Sequence, residues 1–155
     1  MIIALIPSRL NSKRLKEKPL IELDGLPLIV HCYKRARLAK KVDKVIVCTD
    51  SNKIKNAVEK HGGNALLTSN KHKNGTERIN EVAKKFKAKL IIDVQGDEPL
   101  INPKSIDRVV DFHLKNKKFE IILPSVPFDI RYDNKNIVKN LFKQADDTLN
   151  FSISK

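Results

Sequence analysis

From Leu90 to Leu100 the chain reads LIIDVQGDEPL, and this stretch decides the fold class. Its apolar first half predicts a buried β-strand, and Gly96 then opens a turn that carries the carboxylates of Asp97 and Glu98. In open α/β sheets, ligands bind outside the carboxyl ends of the strands, and carboxylates placed there are natural ligands for Mg²⁺. Taken alone, the stretch fits a metal and phosphate site and a plain acidic turn equally well.

The N-terminus favours the first of these two interpretations. Residues 1–6 are apolar and predict a second strand, which Pro7 ends. The loop that follows, from Ser8 to Leu20, reads SRLNSKRLKEKPL and is rich in cations and hydroxyl groups. Arginine offers a bidentate fork and lysine a mobile point charge, which together suit a triphosphate. A solvated basic loop is the alternative, because such loops are common in lysine-rich proteins.

Strand and helix patterns alternate along the chain and predict an α/β fold with a mainly parallel sheet. Strands are expected at residues 2–6, 44–48, 65–67, 90–94 and 121–125, with a final strand pair at 137–142 and 149–153. Helices are expected at residues 27–40, 51–61, 76–86 and 103–117. Asp50 or Ser51 is expected to cap the second helix, and Asn102 the fourth.

The amino-acid composition limits which classes of molecule the protein is expected to bind. The net charge of +13 would suit nucleic acid, but the cations are scattered, aromatic residues make up only 5% and there is no tryptophan. A stacking platform for bases is therefore not expected, and neither is a nucleic-acid partner. No apolar run is long enough for a membrane span, so no membrane partner is expected. Cys32 and Cys48 form no disulfide framework and no signal peptide is recognised, which together predict a cytoplasmic protein.

Several motifs occur in register along the chain. They are IPSR at residues 6–9, RL at 14–15, KPL at 18–20, GTER at 75–78 and VQGDEP at 94–99. Together they resemble the 3-deoxy-manno-octulosonate cytidylyltransferases, also called CMP-Kdo synthetases. The resemblance implies a Rossmann-like, three-layer α/β/α nucleotidyltransferase fold. It also implies an enzyme that uses CTP and Mg²⁺ to activate the acidic sugar Kdo for lipopolysaccharide synthesis, with release of pyrophosphate.

The same resemblance implies roles for individual residues. Arg9 and Lys18 are implied as catalytic ligands of the triphosphate, and Asp97 as a catalytic residue that holds Mg²⁺. The implied substrate-binding residues are Ser8, Arg14, Asn74, Gly75, Arg78 and Gln95. Arg78 is expected to contact the base or a phosphate, and Gln95 the sugar. As an alternative, Arg78 is a solvated residue in the first turn of a helix.

The chain also departs from the family pattern. The family usually has Pro-Gly where this chain has Lys16-Glu17. Glycine lets a backbone approach phosphate closely, and this chain has glutamate in its place. The sequence therefore leaves the loop conformation at Glu17 undetermined. Near the C-terminus, Ile153 stands where the family usually has arginine.

Beyond that point the family continues through a second lobe, which supplies a second metal-binding aspartate, sugar contacts and a dimer interface. Residues 1–155 are therefore expected to form a single nucleotide-binding domain that corresponds to the N-terminal part of the family. Three alternatives stay open: a cytidylyltransferase for another acidic, sialic-type sugar, a truncated nucleotide-binding remnant without catalysis and, third, a general nucleic-acid binder. A homodimer is the expected form of any self-association.

Overall fold

The computed structural model describes residues 1–11, 15–125 and 150–152. The chain divides into two compact units, Met1–Asp107 and Arg108–Lys155. The strands are β1 (Ile2–Ser8), β2 (Glu22–Leu23), β3 (Leu26–Pro27), β4 (Lys44–Thr49), β5 (Ala65–Leu67), β6 (Leu90–Asp93), β7 (Leu123–Ser125) and β8 (Asn150–Ser152). The helices are α1 (Leu28–Arg37), α2 (Asn52–Lys60), α3 (Gly75–Ala83) and α4 (Pro103–Lys115), with a short 3₁₀ helix at Lys18–Leu20.

The main sheet of the first unit has four parallel strands in the order β5-β4-β1-β6. Ala4 of β1 lies opposite Val45 of β4 on one side and Ile92 of β6 on the other. Along the chain, β4 and β5 are therefore added on one side of β1, and β6 is added on its other side. This reversal makes the space between the carboxyl ends of β1 and β6 a topological switch point, where open α/β sheets bind ligands.

Helices cover both faces of this sheet, because side chains along each strand alternate between the faces. Ala4 and Ile6 of β1 point into one apolar cluster, which α1 and α2 complete with residues such as Ile29 and Ile54. Ile3 and Leu5, together with Ile46 and Cys48 of β4, point into a second cluster, which α3 completes with Ile79 and Val82. The predicted three-layer α/β/α arrangement with a mainly parallel sheet is confirmed.

Most predicted elements are present, with shifted ends. The expected helix at 27–40 is shorter and ends at Arg37, and the helix at 76–86 begins at Gly75 and ends at Ala83. The expected strand at 121–125 begins only at Leu123. Of the expected final strand pair, residues 137–142 lie outside the described part of the chain. Residues 150–152 pair antiparallel with β7.

The two capping predictions have opposite outcomes. Asn102 caps α4, because its Oδ1 accepts a hydrogen bond from the Lys104 amide at 3.0 Å. Ser51 occupies the N-cap position of α2, but its side chain makes no capping hydrogen bond. The carboxylate of Asp50 is engaged elsewhere, by the Leu10 amide and by Arg78. The side-chain cap predicted for α2 is therefore wrong.

A hairpin between β2 and β3 was not predicted. Its turn is Asp24-Gly25, and both residues have positive φ angles, of 48° and 75° respectively. Paired positive φ values are typical of the tight turns that join two-stranded hairpins, and Asp-Gly is a favoured sequence for them. Among the described residues, none of the helices is both long enough and apolar enough to cross a membrane.

Candidate active site

A cavity of about 530 Å³ lies where β1 and β6 end. Its lining residues are Pro7, Ser8, Arg9, Leu15, Lys18, Pro19, Leu28, Gln95, Gly96 and Asp97. Five of the predicted site residues are thus brought together at the switch point: Ser8, Arg9, Lys18, Gln95 and Asp97. The predicted substrate ligand Arg14 lies outside the described residues.

Gly96 allows the two strand ends to meet so closely. A Cβ atom at this position would stand 2.8 Å from the carbonyl oxygen of Pro7 and 3.3 Å from the Ile29 side chain. Backbone cannot move away as a flexible side chain does, so only glycine fits here without a shift of β1 or of the turn. The glycine of the VQGDEP motif therefore sets the approach of the acidic turn to the basic loop.

Lys18 and Asp97 form an ion pair in the lining of the cavity. The Nζ atom of Lys18 lies 2.7 Å from Oδ2 of Asp97, and the two side chains are 37% and 53% exposed. The residue predicted to bind phosphate and the residue predicted to bind metal are thus ion-paired. Exposed pairs of this kind hold their partners weakly, so both groups remain accessible to a ligand that carries complementary charges.

Ser8 and Arg9 contribute a hydroxyl and a guanidinium at the end of β1. Ser8 is buried and lies opposite Thr49 of β4, whereas Arg9 is exposed. A hydroxyl and an exposed guanidinium that line the same cavity suit an anionic ligand that enters from solvent.

Gln95 is held by Asp93, the last residue of β6. Its Nε2 atom donates to Oδ1 of Asp93 at 3.1 Å. Burial raises the pKa of the Asp93 carboxyl above its ordinary value, and the hydrogen bond from Gln95 opposes that rise. Asp93 is not among the residues that line the cavity, and its contact with the site is this hydrogen bond to Gln95.

The GTER segment begins α3 next to the same strand end. Gly75 lies against Pro7, since a Cβ atom at Gly75 would come within 3.1 Å of the Pro7 ring. Asn74 is the N-cap: its Oδ1 accepts from the Glu77 amide at 2.9 Å, and Glu77 accepts in turn from the Lys73 amide at 2.9 Å. The pair differs from a capping box, because Glu77 accepts from the amide that precedes the N-cap residue rather than from the N-cap amide itself. Neither Asn74 nor Gly75 lines the cavity, and the structure gives Asn74 a capping contact.

Arg78 lies in the interior and is only 4% exposed. Its guanidinium donates to Asp50 Oδ2 at 2.9 Å, to the Thr68 hydroxyl, and to the Ser69 carbonyl at 3.4 Å. The alternative of a solvated first-turn residue is therefore wrong. Arg78 ties α3 to the ends of β4 and β5, and its predicted contact with base or phosphate stays a prediction.

His72, which precedes this motif, is also engaged. Its Nε2 atom lies 2.6 Å from Glu81 Oε2, and the same carboxylate accepts from the Ser69 amide at 2.9 Å. The Ser69 amide, followed by the His72 contact, lowers the pKa of Glu81 below its ordinary value. These contacts fasten the loop before α3 to that helix.

A second cavity, of about 360 Å³, lies beside the end of β4. It is lined by Leu10, Asn11, Asp50, Ser51, Asn52, Lys53 and Asn70. Sequence reasoning did not single out Lys53, which lies in the first turn of α2 and pairs with Glu17 at 2.8 Å. No local signal could have identified this contact, because 36 residues separate the partners.

Possible metal ligands are sparse among the described residues. No group of three or more His, Cys, Asp or Glu side chains there could hold a metal ion. Asp97 is the carboxylate that lines the larger cavity. Cys32 and Cys48 are both buried, and burial raises the pKa of their thiols to about 11 and about 12, so neither is suited to act as a nucleophile.

Comparison with known proteins identifies the family of this chain. The model of the cytidylyltransferase family matches residues 3–154, and the chain therefore belongs to this family. A 3-deoxy-manno-octulosonate cytidylyltransferase from Thermodesulfovibrio yellowstonii is 38% identical, over 98% of this chain and 63% of that protein. An 8-amino-3,8-dideoxy-manno-octulosonate cytidylyltransferase from Shewanella baltica is 37% identical, over 99% of this chain and 65% of that protein.

A solved structure shows the same fold. It is a CMP:2-keto-3-deoxy-manno-octonic acid synthetase complexed with CTP, which superimposes with a TM-score of 0.74 at 37% identity. The match covers 76% of this chain and 49% of that one. The predicted nucleotidyltransferase fold and the resemblance to CMP-Kdo synthetases are both confirmed. The chain spans about 63% of the length of the first of these relatives.

Proposed function

We propose that this protein transfers the cytidylyl group of CTP to 3-deoxy-manno-octulosonate, with release of pyrophosphate. The observation that carries the proposal is the cavity at the switch point, where Arg9 and Lys18 of the basic loop meet Asp97 of the acidic turn. Relatives named for this activity, and a similar solved structure with CTP, support it. CMP-Kdo made in this way would serve lipopolysaccharide synthesis, and we include a cytoplasmic location in the same proposal.

The reaction asks for positioning and charge neutralisation rather than for a protein nucleophile. The anomeric hydroxyl of the sugar acid would attack the α-phosphorus of CTP in line with the departing pyrophosphate. Arg9 and Lys18 would bind the phosphates and stabilise the charge that builds on pyrophosphate. Gln95, which Asp93 orients, would offer its amide to the sugar.

Mg²⁺ fits this site as an ion that arrives with the nucleotide. Among the described residues only the carboxylate of Asp97 lines the cavity, and Mg²⁺ commonly binds through one or two carboxylates together with substrate phosphates and water. Bound there, the metal would supply polarisation of the phosphates and would shield their charge from the sugar carboxylate. Asp97 would hold it once Lys18 turns from Asp97 to phosphate.

Pyrophosphate release tests the substrates. The chain is incubated with Mg²⁺ and CTP plus Kdo, 8-amino-3,8-dideoxy-manno-octulosonate or sialic acid, and with UTP in place of CTP. Release that requires CTP and Kdo is the expected result, and a preference for either other sugar would reassign the acceptor. Calorimetric CTP binding without release under any condition would favour a nucleotide-binding remnant. Absence of CTP binding would refute the proposal.

The metal ligand is tested by Asp97→Asn, which removes one negative charge and keeps the side-chain shape. We expect CTP binding to lose its dependence on Mg²⁺ in calorimetry. Asp24→Asn is the matched control, because it makes the same charge change in the exposed β2–β3 turn, where Asn tolerates the positive φ of 48°. Mg²⁺-dependent binding that persists in the Asp97 variant would exclude this residue as the ligand.

The homodimer is a further part of the proposal. Size-exclusion chromatography with light scattering measures the mass of the particle, and the mass of a single 17.7 kDa chain at micromolar concentration would refute self-association of this chain.

A further inference from the structure

Glu17 adopts a backbone conformation that its residue type disfavours. Its φ and ψ angles are 51° and 30°, in the left-handed region that glycine enters freely and other residues seldom do. Glu17 is the N-cap of the 3₁₀ helix at Lys18–Leu20, and its carbonyl accepts a hydrogen bond from the Leu20 amide at 2.8 Å. The unusual φ angle of Glu17 therefore sets the direction of the short helix that ends the basic loop.

A contact with α2 accompanies this conformation. Oε1 of Glu17 lies 2.8 Å from Nζ of Lys53, and the side chain of Lys53 is 65% exposed. The hydrogen bond from Lys53 and its positive charge lower the pKa of Glu17 below the ordinary value, which favours the ionised carboxylate. Exposed ion pairs add little to overall stability, but they can select one loop conformation among several of similar free energy.

The selected conformation matters because Lys18 follows directly. Lys18 begins the 3₁₀ helix, and its Nζ atom reaches Asp97 Oδ2 at 2.7 Å inside the larger cavity. A change of φ at Glu17 would swing this lysine away from the cavity, although Glu17 itself is not among the lining residues. The Glu17 backbone thus links an ion pair on α2 to the candidate phosphate ligand.

We propose that Glu17 and Lys53 act as a positioning pair: the left-handed backbone of Glu17, held by its ion pair with Lys53, presents Lys18 to the phosphates of the nucleotide. This inference rests on the proposed function, in which Lys18 binds phosphate. Where the loop conformation that binds is only partly populated, apparent affinity falls in proportion to its population. Loss of the pair should therefore weaken nucleotide binding while it leaves the fold intact.

The test measures the Kd of CTP with Mg²⁺ by calorimetry, and the thermal midpoint, for a set of variants. Glu17→Ala removes the ion pair and keeps the backbone strain, and should raise Kd about threefold to fivefold, in keeping with the small free energy of an exposed ion pair. Glu17→Gly removes the pair but adopts the left-handed conformation freely, and should stay within about twofold. Lys53→Met should raise Kd about threefold. Thermal midpoints should change little, which separates a positioning role from a structural one.

A matched control and a charge swap complete the design. Lys55→Met breaks another exposed lysine–glutamate pair on α2, between Lys55 and Glu59 at 2.9 Å, and should leave Kd unchanged. The double variant Glu17→Lys/Lys53→Glu should bind CTP better than Lys53→Glu alone, because it restores the pair with opposite polarity.

The outcomes separate this inference from the function on which it rests. If Glu17→Ala binds CTP as the unmodified chain does, or if Glu17→Gly binds as poorly as Glu17→Ala, the positioning role is refuted and the proposed function stands. Loss of affinity in Lys53→Met alone would overturn it too, because it would indicate direct contact of Lys53 with the nucleotide through the smaller cavity. Failure of the unmodified chain to bind CTP would refute both proposals.

Discussion

Replacement of Arg78 by methionine should strongly destabilise the protein. The Arg78 and Asp50 side chains are 5% and 19% exposed, and their charged groups lie 2.9 Å apart. Methionine fills a similar volume but leaves the Asp50 carboxylate buried without its partner. Removal of one member of a buried pair costs about 3–5 kcal/mol, and the partial exposure of Asp50 places the expected loss near the lower limit, about 3 kcal/mol.

Thermal unfolding followed by circular dichroism measures this effect. In a protein of this size a loss of about 3 kcal/mol corresponds to a fall of about 6–12 °C in the thermal midpoint. Arg78→Lys should lose less, because it keeps the charge but cannot contact Asp50, Thr68 and Ser69 together as the planar guanidinium does. Arg37→Met, at an exposed arginine in the last turn of α1, is the matched control and should change the midpoint little.

A double-mutant cycle with Asp50→Asn isolates the pair itself. The combined loss of Asp50→Asn and Arg78→Met should be smaller than the sum of the single losses, because the second change removes the charge that the first left unpaired. Additive losses, or a midpoint for Arg78→Met that matches the unmodified chain, would refute the reasoning. CTP affinity measured well below the midpoint would show separately whether Arg78 also contacts the nucleotide.

Three further predictions follow from local geometry. Gly96→Ala should destabilise the protein by about 1–3 kcal/mol, measured by urea unfolding, because its Cβ would stand 2.8 Å from the Pro7 carbonyl oxygen; unchanged stability would contradict this. Asp93→Asn should raise the thermal midpoint at pH 7 only slightly, because partial burial raises the pKa of Asp93 but the residue is exposed at the end of β6. The difference should vanish below pH 3.8, the ordinary pKa value, and a large rise at pH 7 would contradict this. Cys32 and Cys48, with pKa values raised to about 11 and about 12, should resist thiol reagents at pH 8 until the protein unfolds; rapid labelling of the native protein would overturn this.

The sheet was predictable because its strands are apolar runs bounded by turn residues. The apolar runs from Ile2 to Ile6 and from Leu90 to Val94 indicate strands. The first is buried as predicted, whereas β6, at the edge of the described sheet, is only half-buried and ends in the exposed Asp93. The order of the strands could not be predicted from the sequence, because the pairing of β1 with both β4 and β6 depends on contacts between residues far apart in the chain. The β2–β3 hairpin was missed because strands of two residues show no periodicity, although the Asp24-Gly25 turn signal was present.

The candidate site was predictable as a set of charges but not as a set of contacts. Motifs identified Arg9, Lys18 and Asp97, and the cavity does contain all three. The partner of Arg78 could not be read from the sequence, because Asp50 is 28 residues away and meets it only through the packing of α3 on the sheet. The conformation of Glu17 runs against residue preference, so propensity alone would have predicted a different loop.

The two ion pairs Arg78–Asp50 and Lys18–Asp97 differ in how deeply they are buried. The Arg78–Asp50 pair is largely removed from water, so a ligand that drew Arg78 away would leave a mostly buried carboxylate without its charged partner. The Lys18–Asp97 pair is about half exposed and cheap to open, because water and ions already compete for both groups. Under the proposed function, a metal–nucleotide complex would offer phosphate to Lys18 and a cation to Asp97, and would thereby replace both halves of the pair that it breaks. We infer that the exposed pair is the part of the site that responds to ligand, whereas the buried pair is fixed structure between α3 and the sheet.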